Sequence, residues 1–130
     1  MNSPWPRRRG GLALVLTAAA LAVLQRLVGA RRVVVTGMSM APTLLPGDRL
    51  VVVRCLRLRP GELVAVADPR EPGRLLVKRV SAVSNGLVEL RGDNAGQSTD
   101  SRVFGRVSRR TVRGRVLRRY APPARRGPVA

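Results

Sequence analysis

The apolar residues fall into two regimes. Residues 10–30, GGLALVLTAAALAVLQRLVGA, open with fifteen residues free of charge, are broken by Gln25 and Arg26, and resume from Leu27 to Ala30. A helix needs roughly 20 apolar residues to cross the hydrocarbon core, so this stretch is just long enough if Arg26 snorkels to the far interface. Arg7, Arg8 and Arg9 precede it, which orients the N-terminus inward and the rest of the chain outward. A cleaved signal peptide ending on the small residues Val28-Gly29-Ala30 and an interfacial amphipathic helix are the rival readings. All three bring the remainder of the chain to a membrane.

Beyond residue 30 the pattern changes. Valine and leucine dominate short runs, punctuated by Gly, Pro, Asn and Asp, and this favours strands over helices. The expected strands are Arg32–Thr36, Arg49–Arg54, Glu62–Ala67, Leu75–Val83, Leu87–Arg91, Val103–Val107 and Val112–Tyr120. Asn85-Gly86 marks a tight hairpin, since both residues tolerate positive φ. The predicted organisation is a basic segment over 1–10, a transmembrane anchor over 11–30, a mainly β domain over 31–120 and a disordered tail over 121–130. No other segment has a helical pattern.

Composition removes much chemistry. Lys+Arg 25 against Asp+Glu 7 gives +18, and Lys78 is the only lysine among them. The charge is scattered along the chain, and the aromatics are only Trp5, Phe104 and Tyr120. No base-stacking platform is available, so nucleic acid is not the expected partner. The absence of histidine excludes Ser-His-Asp and Cys-His catalysis and histidine metal sites. The single cysteine, Cys55, excludes an internal disulfide and a thiolate cluster. No metal site and no cofactor are expected.

Three stretches carry candidate chemistry. The first, Gly37 to Asp48, lies between two strands, where Pro42, Pro46 and Gly47 fix an irregular loop able to hold Ser39 outward. The second is Leu75 to Val83. Strand alternation puts Leu76, Lys78, Val80 and Ala82 on one face and Arg79 on the solvent side. Lys78 is then a lone charge among apolar side chains, and lost hydration lowers its pKa from the free value of about 10.4. A neutral amine of that kind takes a proton from a serine. The third, Gly92 to Gly105, is a polar loop whose carboxylates, Asp93 and Asp100, are too sparse for calcium. Singly, each has a plainer reading: a turn serine, a snorkelling lysine, a surface loop. The Ser-x-x-Lys pattern fails at Pro42, and the Gly-x-Ser-x-Gly elbow fails at Ala41.

Taken in order, the three resemble the signatures of the type I signal peptidase family of membrane-anchored Ser/Lys proteases, in its minimal form. Ser39-Met40-x-Pro42-Thr43-Leu44-x-x-Gly47-Asp48 is similar to the nucleophile segment and Lys78-Arg79-Val80 to the general-base strand. Gly92-Asp93-Asn94 through Ser98-x-Asp100-Ser101-Arg102-x-Phe104-Gly105 is similar to the third signature. Arg59-Pro60-Gly61-Glu62 is similar to the Arg-Gly-Asp strand entry. The resemblance implies a small signal-peptidase-like β-barrel or coiled β-sheet, with Ser39 as nucleophile and Lys78 as general base. It also implies that Ser98 orients the lysine, that Asp100 and Arg102 form an ion pair behind the site, and that Met40 and Pro42 meet substrate. The Ser39 N–H would be one oxyanion donor; Gly37 stands where some members carry a second, hydroxyl donor. The implied partners are preproteins with small residues before the cut, and membrane lipid. The implied location is a cell membrane, crossed once, with the catalytic domain outside the cytoplasm. Competing readings are a maturation protease dedicated to one substrate such as nickel superoxide dismutase, a self-cleaving repressor, and a basic non-enzymatic module binding membrane or nucleic acid.

Overall fold

The computed structural model describes residues 10–130, so the expected basic segment lies, but for Gly10, outside the described residues. The first element is a helix, α1 (Gly10–Val28). Its large apolar side chains from Leu14 to Leu24 are more than half exposed. The span expected over 11–30 is thus found as a helix, but among the described residues no helix is long and apolar enough to cross a membrane.

Seven strands follow: β1 (Arg31–Val34), β2 (Arg49–Val53), β3 (Leu63–Asp68), β4 (Glu71–Ser84), β5 (Leu87–Arg91), β6 (Val107–Ser108) and β7 (Val112–Ala121). They form one antiparallel sheet in the order β1-β2-β7-β3-β4-β5-β6. The mainly β expectation holds, and the order runs from edge β1 to edge β6 without closing into a barrel. β3, LVAVAD, is buried at every position, because β4 and β7 flank it and its two faces serve two cores. Val64 and Val66 pack with Val80, Val88 and Leu90 on one side. Leu63 packs with Met40, Leu44 and Leu50 on the other. A strand covered on both faces carries a continuous apolar run in place of alternation.

The Asn85-Gly86 turn is present, with φ of 51° and 75°, and joins β4 to β5 at the Ser84↔Leu87 pair. Two expected boundaries fail for identifiable reasons. β4 starts at Glu71, because the reversal is made at Pro69-Arg70, where Asp68 accepts from the Arg70 N–H at 2.9 Å. Pro72 is tolerated there because the pairings of β4 with β5 begin only at Arg79. The strand expected at Val103–Val107 is instead a helical turn, α2 (Ser101–Phe104), followed by the short β6. Asp100 caps this turn by accepting from the Arg102 N–H, and the cap overrides the weak apolar alternation.

The tail is a second correction. Residues 121–130 fold back on the domain. Arg119 and Gly127 exchange two backbone hydrogen bonds, and Val129 packs against the Met40 cluster. Buried Asp48 accepts from Arg119 and Arg125, each at 3.1 Å, and from the Leu45 N–H at 2.9 Å. The same two arginines donate to the Thr43 carbonyl. The tail therefore clamps the Ser39 loop from outside. Asp48→Asn is expected to lower stability by about 2–3 kcal/mol, since it removes the charge facing two partly buried guanidiniums. Thermal denaturation in detergent checks this; an unchanged midpoint would rule out the clamp.

Candidate active site

The site is assembled from the loop after β1, the middle of β4 and the loop after β5. On β4 the alternation read from the sequence is obeyed: Lys78 and Val80 are buried, and Leu76 and Ala82 partly so. Lys78 is 2% exposed. Burial pushes its ammonium below the usual lysine value; the nearby Asp100 carboxylate opposes that shift, and Arg70 adds to it.

Lys78 Nζ donates to Ser98 Oγ at 3.1 Å, and Ser98 Oγ donates to Asp100 Oδ2 at 2.9 Å. Asp100 is fully buried and held by Arg102 through Nε at 2.9 Å and Nη2 at 2.8 Å. It also accepts the Gly92 and Arg102 N–H groups. The Arg102 guanidinium above all, with these further donors, holds the Asp100 carboxyl far below its ordinary range. An ionised carboxylate only accepts, so the Ser98 hydrogen points at Asp100, and the Ser98 lone pair is what Lys78 meets.

Ser39 is half-buried. It lines, with Lys78, Leu76, Gln97 and Thr99, a cavity of about 140 Å³. Among the described residues no hydrogen bond joins Ser39 to Lys78; the amine's bond goes to Ser98. A second depression, about 70 Å³, is lined by Ser39 together with Val33, Val35, Leu76 and Val77. Met40 touches this depression but is 1% exposed and belongs to the core. Pro42 is exposed and lines neither hollow. Of these two expected substrate contacts, Met40 reaches the smaller hollow from the core and Pro42 borders neither hollow.

Several residues that hold the site together were not assigned from sequence. Arg79, expected to face solvent, grips Asp93 in a fork of 2.8 and 2.7 Å and donates to the Gly61 carbonyl at 2.7 Å. Asp93 also accepts from Thr43 Oγ1 at 2.6 Å. The Asn94 N–H donates to the Ser39 carbonyl at 2.9 Å, and Asn94 Nδ2 to the Met38 carbonyl at 3.1 Å. The hydroxyl loop is thereby bolted to the loop carrying Ser98. The only sequence signal was the Gly92-Asp93-Asn94 triplet itself, whose side chains the resemblance left without a role.

Among the described residues no cluster of His, Cys, Asp and Glu suits a metal ion. Half-buried Cys55 packs at the edge of the other core, with its thiol pushed up by burial.

A family model described as signal peptidase, peptidase S26, matches residues 8–91. That is more than half of the chain, and the chain belongs to this family of peptidases. The matched span holds both Ser39 and Lys78 and ends one residue before Gly92, so the Ser98–Asp100–Arg102 arrangement stands on the contacts above. The chain is similar to the mitochondrial ATP-independent inner membrane protease subunit 1a of Arabidopsis thaliana, 34% identical over 116 residues, covering 68% of this chain and 69% of that protein. It is also similar to the probable signal peptidase I-1 of Synechocystis, 27% identical over 173 positions, covering 96% of this chain and 88% of the relative. An alignment longer than the chain itself means that the cyanobacterial protein carries insertions that this minimal form lacks. The mitochondrial inner membrane protease subunit 2 of Danio rerio is 29% identical, over 85% of this chain and 74% of that protein.

Proposed function

We propose that the chain is a membrane-tethered serine endopeptidase that removes signal peptides from exported preproteins with a Ser39/Lys78 pair. The observation that carries the reading is the state of Lys78: a buried amine, 2% exposed, opening into the hollow it shares with Ser39. Because Ser98 gives its hydrogen to Asp100, it accepts one N–H of the neutral amine and leaves the amine lone pair free for Ser39. Resting proton-transfer bonds are often long and tighten on substrate.

Ser39 Oγ attacks the scissile carbonyl as Lys78 takes its proton. The oxyanion is met by the Ser39 N–H, which donates to no backbone acceptor among the described residues. The carbon–nitrogen bond then breaks, and Lys78 returns the proton to the leaving amine. Water, deprotonated by the same lysine, hydrolyses the ester and frees Ser39. Asp100 and Arg102 act behind Ser98 as positioning residues, and no cofactor enters.

Substrate is held as an added strand. Among the described residues β1 pairs only with β2, and β4 from Leu75 to Lys78 is paired on one side only, with β3. These open edges border the 70 Å³ depression, and backbone hydrogen bonds to them would seat an extended peptide. Its side chains enter the small hollows beside Ser39, of about 70 and 140 Å³, and that size supports small residues before the cut. The exposed apolar side chains of α1, and a family match that begins at residue 8 and so takes in α1, support a single membrane tether, and Arg7, Arg8 and Arg9 ahead of it support a catalytic domain on the extracytoplasmic side.

The test is cleavage of a preprotein by the detergent-solubilised full chain, with the product's new N-terminus sequenced. A substrate with alanine at the first and third positions before the cut is expected to be processed. Phenylalanine at either position should slow processing by about 100-fold, as for a side chain that a pocket cannot hold. Equal rates with phenylalanine would overturn the pocket reading, and no cleavage of any preprotein would overturn the function.

A further inference from the structure

Eleven arginines of the β domain belong to no ion pair among the described residues, and they are not evenly spread. Register places Arg32 opposite Val51 and Val51 opposite Arg118, so all three share one face of the β1-β2-β7 edge. Tyr120, two residues beyond Arg118, joins them, with the Arg32 guanidinium 5.7 Å from its ring centroid. Arg126 arrives from the folded-back tail and donates to the Tyr120 carbonyl at 3.0 Å. These five residues line a cavity of about 420 Å³, which adjoins a second of about 300 Å³ bounded by Ala30 and Arg31.

Three guanidiniums around one hollow repel each other, and neither a carboxylate nor the core explains why they converge. Such a set binds a phosphate, through forked N–H donors and the phenol hydroxyl. Its position selects the source. The hollow begins at Arg32, four residues after α1 ends at Val28, where chain leaving a bilayer meets the headgroups, and Val34 on the same strand is 53% exposed. We propose that Arg32, Arg118, Arg126 and Tyr120 form a binding site for the phosphate of an anionic phospholipid, which docks this face of the sheet on the membrane surface. The proposal rests on the membrane-tethered reading above but not on the protease chemistry. It places the open edge of β1, and with it Ser39, at the level where a membrane-bound substrate emerges.

The experiment is thermal denaturation of the full chain in dodecyl maltoside micelles doped with phosphatidylglycerol, with phosphatidylcholine, or supplied with inorganic phosphate. Phosphatidylglycerol should raise the midpoint saturably, because a ligand that binds only the folded state stabilises it. Phosphatidylcholine should not. Arg32→Gln/Arg118→Gln should weaken phosphatidylglycerol binding roughly thirtyfold, at about fivefold per arginine near an anionic surface. Arg110→Gln/Arg113→Gln, which removes equal charge from exposed, unpaired positions elsewhere, should keep the full shift. Equal shifts with the two lipids, or equal losses in the two double variants, would overturn the site in favour of diffuse charge. A shift with inorganic phosphate as large as that with the lipid would overturn the membrane source. Preprotein cleavage measured on the same samples separates this result from the fate of the protease reading.

Discussion

Lys78→Arg and Ser39→Ala are each expected to leave a folded chain whose preprotein cleavage falls by at least about 10³–10⁴-fold, the scale on which loss of a nucleophile or its base acts. Arginine keeps the charge but does not deprotonate, so it cannot accept the serine proton. The pH profile carries the sharper form of this prediction. Burial lowers the Lys78 value, so kcat/KM should rise as Lys78 deprotonates and level off below pH 10.4, the free lysine value. A rate still climbing through pH 10–11 would sink the buried base. Stability changes with a definite sign. In the window between the lowered folded value and the unfolded value, the unfolded chain binds more protons, so wild-type stability rises with pH there. Lys78→Met removes that cost. It should be inactive yet more stable than wild type near pH 7, with the difference closing as pH approaches the unfolded lysine value. Denaturant titrations at several pH values measure it, and a Met variant less stable at neutral pH would contradict the desolvated amine.

Range decides which features were legible in the sequence. Alternation of apolar and polar positions is local, and it put Lys78 on the buried face with Leu76 and Val80, where the fold has it. The Asn85-Gly86 turn is equally local, because its backbone angles are set by the two residues themselves. Resemblance, not periodicity, suggested that Ser98 meets Lys78; the two are twenty residues apart and joined by a 3.1 Å hydrogen bond. Local chemistry misled where two signals competed. Val103–Val107 alternates weakly, but the Asp100 cap starts a helical turn there. The tail is the opposite case: its prolines and arginines carry no apolar period, and its order comes from Asp48, more than seventy residues away. Alternation assigns Arg79 to solvent because it records which face a side chain leaves, not what it reaches around the edge. Its fork on Asp93 is a tertiary contact that no spacing encodes.

The tightest of these contacts sits at Gly92, and Gly92→Ala is expected to be the most damaging substitution outside the reacting groups. A Cβ built there would stand 2.0 Å from Ser98 Oγ, 2.4 Å from Ser98 Cβ and 2.6 Å from the Ser39 carbonyl. None of these has room to retreat. Ser98 is tied to Lys78 and Asp100, and the Ser39 carbonyl is backbone, already bonded to the Asn94 N–H. The glycine thus sets the distance between the loop that carries the hydroxyl and the loop that orients the amine. Forcing them apart by about 1 Å should cost roughly 100-fold in kcat, with a smaller change in KM, because reacting groups lose rate steeply with misplacement. Overpacking of this kind also costs about 1–3 kcal/mol of stability. Gly96→Ala in the same loop is the control: its Cβ would meet nothing within 4 Å, and both rate and stability should stay near wild type. Full activity in Gly92→Ala would mean that cleavage does not depend on the close approach of these two loops, and the positioning role of Ser98 would fall with it.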